Sequence, residues 1–134
     1  MLNFKEEEAK QEIWEYATAN CELVSILPGR CRYNFRCQMN AVHDAVEAGE
    51  DRIAMCMVNG TKGDHPYIHF VNVSLSGELV DNTLGHWSTK NTYRLIRYIP
   101  KEEFFDIESI FTDYRKFVRK TLKPVTRWFS KYEA

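Results

Sequence analysis

Apolar residues recur at helical spacing over 3–19, where Phe4, Ala9, Ile13, Trp14 and Ala17 fall near one stripe. Glu6, Glu7 and Glu8 sit in the first turn of that segment, where the helix dipole favours anions. The stretch ILPGR at 26–30 interrupts the periodicity through Pro28 and Gly29, and 31–36 reads as irregular or extended. A second helix fits 37–48. Cys37, Ala41 and Ala45 share one line, Val42 and Val46 lie beside it, and Gly49 ends it.

Beyond Gly49 the period changes. RIAMCMV at 52–58 is a short apolar run of buried-strand character, and NGTKGDHP at 59–66 is turn chemistry. YIHFVNVSL at 67–75 is rich in aromatic and β-branched residues, so it predicts a strand. Ser76 and Gly77 turn the chain into a strand over 78–83, and alternation over 92–99, closed by Pro100, predicts another. From 101 to 132, Phe104, Ile107, Ile110, Phe111, Tyr114, Phe117 and Val118 return to helical spacing, with Pro124 breaking or kinking the helix towards its end. The order predicts an α+β fold: N-terminal helices packed on an antiparallel sheet of about four strands, then a C-terminal helix. We expect one domain over 1–134, helical to residue 50, sheet over 51–100 and helical again over 101–134.

A chain of 134 residues with 44% hydrophobic and 28% charged content has the composition of a folded domain, not a disordered segment. Lys plus Arg number 18 against 19 Asp plus Glu, so the net charge of −1 gives no general reason to expect nucleic acid or an anionic membrane as partner. The start, MLNFKEEEAKQEIWEY, lacks the apolar core of a signal peptide, and no run is long enough to span a bilayer. A cytoplasmic location and reduced thiols at Cys21, Cys31, Cys37 and Cys56 are therefore expected.

The segment FRCQMNAVHDAVEAG at 35–49 places Cys37 at a helix start, where thiols are activated because the thiolate is favoured there. A thiol nucleophile needs a base and a group to orient that base. His69 lies on one strand and Asp81 on the next, and adjacent antiparallel strands can set an imidazole beside a carboxylate. A Cys-His-Asp set of this kind serves acyl transfer. Asn72, on the strand of His69 but facing the other side, is the alternative third residue. The oxyanion would be held by the Cys37 backbone N–H and one more donor, with Gln38, Asn34 and Asn40 as candidates. Trp87, on the loop after Asp81, is a candidate for the substrate groove.

The combination RCQMNA at 36–41 and HFVNVSLSGELVDNT at 69–83 resembles a pattern in small bacterial and phage proteins of papain-like or transglutaminase-like type. There a Cys-x-x-Asn-Ala opens a helix, and a His-x-Trp-like strand, a Gly turn and an Asp-x-Thr come after it. The resemblance covers about 29–85. It implies a papain-like arrangement with Cys37 as nucleophile, His69 as base and Asp81 as orienter. Asn40 would pack or hydrogen-bond one turn on, Gly77 would form the hairpin turn and Thr83 would close the strand. In this chain Phe70 and Val71 follow His69 where a Trp is expected one position further along, and Asn82 stands where Pro is usual between Asp and Thr.

Other readings compete. Cys is a common core residue, and Asp81 in a turn can serve as a cap. Cys31, Cys37, His43, His65 and His69 include zinc-type ligands, but no Cys-x2-Cys spacing is present, so no metal is expected. The basic-aromatic stretch YRKFVRKTLKPVTRWFSKY at 114–132 reads as an ordinary amphipathic helix before it reads as a nucleic-acid face. The sequence thus points to a cysteine-dependent hydrolase or acyl transferase that needs no cofactor. Its partner would be a peptide, protein or small amide or thioester substrate, in the host cytoplasm if the chain is phage-encoded. The alternative is a non-catalytic interaction protein, phage-encoded in that case, binding a host protein or nucleic acid through its basic-aromatic C-terminal face.

Overall fold

A computed structural model describes residues 4–34, 36–60 and 65–134. Asn3 of the expected first helix, Phe35, the side chain of Phe4 and residues 61–64 of the expected turn lie outside the described residues.

The elements run α1 (Phe4–Asn20), β1 (Glu22–Val24), β2 (Ile26–Pro28), α2 (Cys37–Ala48), β3 (Arg52–Gly60), β4 (Tyr67–Val73), β5 (Leu79–Asp81), β6 (Asn91–Pro100), α3 (Ile107–Lys120) and α4 (Pro124–Phe129). Short 3-10 turns occupy Gly85–Lys90 and Lys101–Asp106. α2 has the predicted bounds. Gly49 takes the left-handed conformation (φ 67°), and its N–H donates back to carbonyls of the last helical turn. Pro124 opens α4 at its first turn, where a missing N–H costs nothing, so it starts a helix instead of kinking one.

The sheet differs from the four-strand expectation. It has six strands in the order β1-β6-β3-β4-β5-β2. The four predicted strands are present as β3 to β6. The two additions are three-residue segments in and beside the stretch read as a break, and β2 runs parallel to β5. Only Ser25 separates β1 from β2, yet they pair with strands at opposite ends of the order. The sheet is therefore curled until its two edges meet at one residue.

Curling gives the sheet two apolar faces. One, with Ile53, Met55, Met57, Ile68, Phe70 and Ile99, packs under Ala9, Ile13 and Ala17 of α1, Ala41 and Ala45 of α2, and Ile107 and Val118 of α3. The other, with Ala54, Cys56, Val58, Val71, Val73, Leu79 and Tyr93, closes on itself with Val24 and Ile26. Each large aliphatic side chain taken from water contributes about 1.5–3 kcal/mol. Because both faces are buried, β3 carries a continuous apolar run over 53–58, and β4 departs from one only at the buried His69 and Asn72.

The basic tail folds back on α1. Glu12 accepts hydrogen bonds from the Lys123 N–H at 2.7 Å and the Thr126 hydroxyl at 2.5 Å, which satisfies the start of α4. Glu6 accepts from the Ser130 hydroxyl at 3.0 Å and the Lys131 N–H at 2.7 Å. Among the described residues no helix is long and apolar enough to cross a membrane.

Candidate active site

The route that delivers Cys37 starts at β2. The chain stays beside β5 past the end of both strands: the Gly29 N–H donates to the Asp81 carbonyl at 2.9 Å, the Arg32 N–H donates to the Thr83 carbonyl at 2.7 Å, and Cys31 makes an isolated antiparallel bridge to Leu84. A Cβ at position 29 would sit 2.1 Å from Asn82 Oδ1, so any residue but glycine forces its neighbours to shift. Residues 29–32 and 81–84 thus run side by side, and α2 begins next to the strand that carries Asp81. Asn40 then donates to the Thr83 hydroxyl at 2.9 Å and bonds reciprocally with Asn34, fixing the first turn of α2 to the loop after β5.

Asn82 explains itself in the same region. Its side chain accepts the Arg30 N–H at 3.1 Å and donates to Asn72 at 2.9 Å, a double role that proline has no atoms to fill. Asn72 in turn donates to the Ala41 carbonyl at 2.8 Å and to Glu50, so it anchors α2 and does not meet His69.

His69 and Asp81 are both buried, at 3% and 0% exposure, which makes an unpaired charge in either prohibitive. Neither is unpaired. His69 Nε2 lies 2.8 Å from Asp81 Oδ2, and the Tyr93 hydroxyl donates to the same oxygen at 2.5 Å. Asp81 Oδ1 accepts the backbone N–H of Thr83 at 2.9 Å and of Leu84 at 2.8 Å. Burial alone would push the Asp81 carboxyl up, but the hydrogen bond and charge of His69, then Tyr93 and the Leu84 N–H, overrule it and hold the pKa below its ordinary value.

Cys37 lines the same cavity as this imidazole and lies close enough to raise its pKa. With Nε2 committed to Asp81, Nδ1 is the nitrogen left for the thiol. Burial works against the imidazolium, yet the Asp81 hydrogen bond and the charges of Asp81 and Cys37 outweigh it and bring the His69 pKa up to about 9. His69 is thus bonded to Asp81 and shares a cavity lining with Cys37.

Cys37 and His69 open onto a cavity of about 420 Å³. Tyr67, Ile68, Leu84 and Phe111 give it apolar walls, and Gln38, Thr83, Arg115 and Ala134 complete the lining. Tyr67 meets His69 edge-on with ring centroids 5.8 Å apart, and burial pushes its phenol pKa up. A second cavity of about 410 Å³, lined by Val42, Val46, Phe104 and Phe105 among others, contains neither Cys nor His.

The oxyanion candidates are all near the thiol but engaged. The Gln38 carbonyl accepts from Cys37 Sγ at 3.5 Å while its amide donates to Glu108 at 3.1 Å. Asn34 and Asn40 are held by each other and Thr83. The backbone N–H groups of the first turn of α2, which have no intrahelical acceptor, are the remaining donors at the thiol. Trp87 is absent from the cavity lining; it stands half exposed in the Gly85–Lys90 turn, stacked on His86 at 4.8 Å.

Tyr93, Tyr67 and Arg115 were not singled out by the sequence. Tyr93 was legible in principle, because alternation along TYRLIRYI puts it opposite the apolar face of β3. Arg115 carries no local signal, since its role depends on how a distant helix packs.

His43, Asp44 and Glu47 each place a donor atom within 4.8 Å of the others. Arg32 and Arg30 already reach Asp44 Oδ1, at 2.7 and 3.7 Å, and supply the positive charge there.

No family model, no curated protein and no solved structure matches the chain.

Proposed function

We propose that this protein is a cysteine-dependent hydrolase or acyl transferase, papain-like or transglutaminase-like in its chemistry, acting on an amide or thioester bond. The observation that carries the reading is the position of His69, which is paired with the Asp81 carboxylate at 2.8 Å and lines one cavity together with Cys37. A buried histidine paired with a carboxylate and set in the same cavity lining as a thiol supports the role of base.

His69 Nδ1 takes the thiol proton, and the Asp81 carboxylate stabilises the imidazolium that results. The thiolate adds to the carbonyl carbon, and the N–H groups at the start of α2 receive the developing oxyanion. Collapse of the tetrahedral intermediate breaks the C–N or C–S bond, and the imidazolium gives its proton to the leaving amine or thiolate. The acyl group stays on Cys37 as a thioester. Water or an amine then adds, passing its proton to His69, and Cys37 leaves as thiolate. No cofactor enters these steps.

The test is the pH dependence of iodoacetamide alkylation at each cysteine, read by peptide mass spectrometry in the wild type and His69→Gln. Near neutral pH, Cys37 is expected to outpace Cys21, Cys31 and Cys56 by roughly tenfold or more and to lose that lead without His69. Equal reactivity of Cys37 and the other partly exposed cysteines sinks the proposal.

A second reading has one observation in its favour. On α4, Val125, Trp128 and Phe129 are 57%, 83% and 62% exposed, on a segment that also carries Lys123, Arg127 and Lys131. Under that reading the chain binds a partner through this face, and the Cys37 set is structural.

A further inference from the structure

Residues 130–134 leave α4 without regular structure and run back to the cavity of Cys37 and His69. The segment is pinned along its length. Arg119 donates to the carbonyls of Ser130 at 2.6 Å and Tyr132 at 3.4 Å, and the Tyr132 hydroxyl donates to the Pro66 carbonyl at 2.5 Å. The Glu133 carboxylate is bound by the Arg115 guanidinium, and Ala134, 9% exposed, lines the cavity itself.

Arg115 is placed to read a carboxylate. It lines the same cavity as the thiol, its guanidinium rests over the Phe111 ring at 5.2 Å, and its buried Nε has no hydrogen-bond partner among the described residues. A guanidinium offers a rigid fork of donors, of which Glu133 engages one nitrogen. The residue adjoining the bound carboxylate is the one that reaches the cavity. An extended acidic chain laid along this path therefore brings its backbone towards Cys37 while its side chain stays on Arg115.

We infer that the cleft takes an extended acyl donor bearing a carboxylate, an acidic peptide in its simplest form, which Arg115 recognises in the place that Glu133 fills in the unliganded protein. The inference rests on the nucleophile reading of Cys37. Arg115 is a specificity residue, and Glu133 is its internal competitor.

Iodoacetate and iodoacetamide test this on the full chain, since they differ in a carboxylate but share the leaving group. The readout is the ratio of their alkylation rates at Cys37, at low ionic strength. Glu133→Gln is expected to raise the iodoacetate-to-iodoacetamide ratio roughly fivefold over wild type, and Arg115→Gln to lower it by a similar factor, the size of a partly screened ion pair. Lys116→Gln, which removes an exposed cation one position away, is expected to leave the ratio unchanged. If iodoacetamide labels Cys37 selectively but the ratio is the same in wild type, Glu133→Gln and Arg115→Gln, carboxylate recognition is overturned and the nucleophile stands. Carboxylate recognition is likewise overturned if Lys116→Gln moves the ratio as far as Arg115→Gln. If iodoacetamide shows no preference for Cys37, both fall together.

Discussion

Asn40 donates to the Thr83 hydroxyl at 2.9 Å, and this one buried bond ties the helix that carries Cys37 to the loop whose N–H groups hold Asp81. Cys37 and Asp81 come from segments far apart in sequence, so their alignment depends on such ties. Asn40→Ala strands the Thr83 hydroxyl and the Asn34 amide together. It is expected to cost about 1–3 kcal/mol in denaturant unfolding and to slow Cys37 alkylation more than that of Cys21. A variant with wild-type stability and wild-type Cys37 reactivity would show that the tie is idle.

Tyr93 and His69 share Asp81 Oδ2, so removing one donor changes what the other feels. Tyr93→Phe takes a hydrogen bond from the carboxylate and leaves its charge less compensated. The imidazolium should gain from that charge, and the His69 titration followed by NMR is expected to move upward. Stability should fall by about 1–2 kcal/mol, because a buried charged acceptor loses a partner. A downward move of the His69 pKa contradicts this account.

The buried pair also makes stability depend on pH in two directions. The His69 pKa rises from 6.5 to about 9 on folding. A raised pKa contributes stability that is complete below the unfolded value and is lost as pH climbs through the folded one. Asp81 is shifted down, so its contribution is present above the ordinary carboxylate pKa near about 4 and is lost as pH falls. Urea midpoints are therefore expected to be highest between about pH 5 and 6.5 and to decline towards pH 9, by up to about 3 kcal/mol from His69. His69→Gln should flatten the alkaline slope; persistence of that slope would assign it to another group.

Gly29→Ala tests the close approach of β2 and β5. The added Cβ would meet Asn82 Oδ1 at 2.1 Å, Val80 Cγ1 at 2.7 Å and the Asp81 carbonyl at 3.0 Å. The strands must part, at an expected cost of about 1–3 kcal/mol. Thermal unfolding reads that loss, and Cys37 alkylation reads the displacement of α2. Glu47→Ala, at an exposed position in the last turn of α2, serves for comparison and should leave alkylation unchanged.

Legibility in the sequence followed the physics of each segment. α2 was readable to the residue because Cys37, Ala41 and Ala45 repeat at helical spacing and Gly49 marks the stop. β3, β4 and β6 were readable from apolar and β-branched runs, with ends that shifted by a residue or two. β1 and β2 were not, since three residues are too few to show a period and Pro28 reads as a break. Pro28 is tolerated there because β2 is an edge strand with a single neighbour. The meeting of His69 with Asp81 followed from strand adjacency. The part played by Asn72 and Asn82 did not, because side-chain amides bond wherever the tertiary structure places them.

Trp87 and Arg115 differ for the same reason. A Trp after the Asp81 strand invites a groove assignment, but the 3-10 turn Gly85–Lys90 points it elsewhere, onto His86. Arg115 looked like one cation among many in the tail, and only the packing of α3 over the cleft sets it apart.

The meeting of the sheet edges at Ser25 also orders events during synthesis and folding. β1 waits for β6 and β2 waits for β5, so two early segments are completed by partners translated much later. Hairpins such as β4–β5 can form from local chain, whereas these pairings close long loops and are intrinsically slow. The Cys37 helix is held beside Asp81 by the run that β2 begins, together with the Asn40–Thr83 and Asn72–Ala41 bonds. Closing that long loop sets Cys37 beside the strand of Asp81, so these two side chains come into register late in folding.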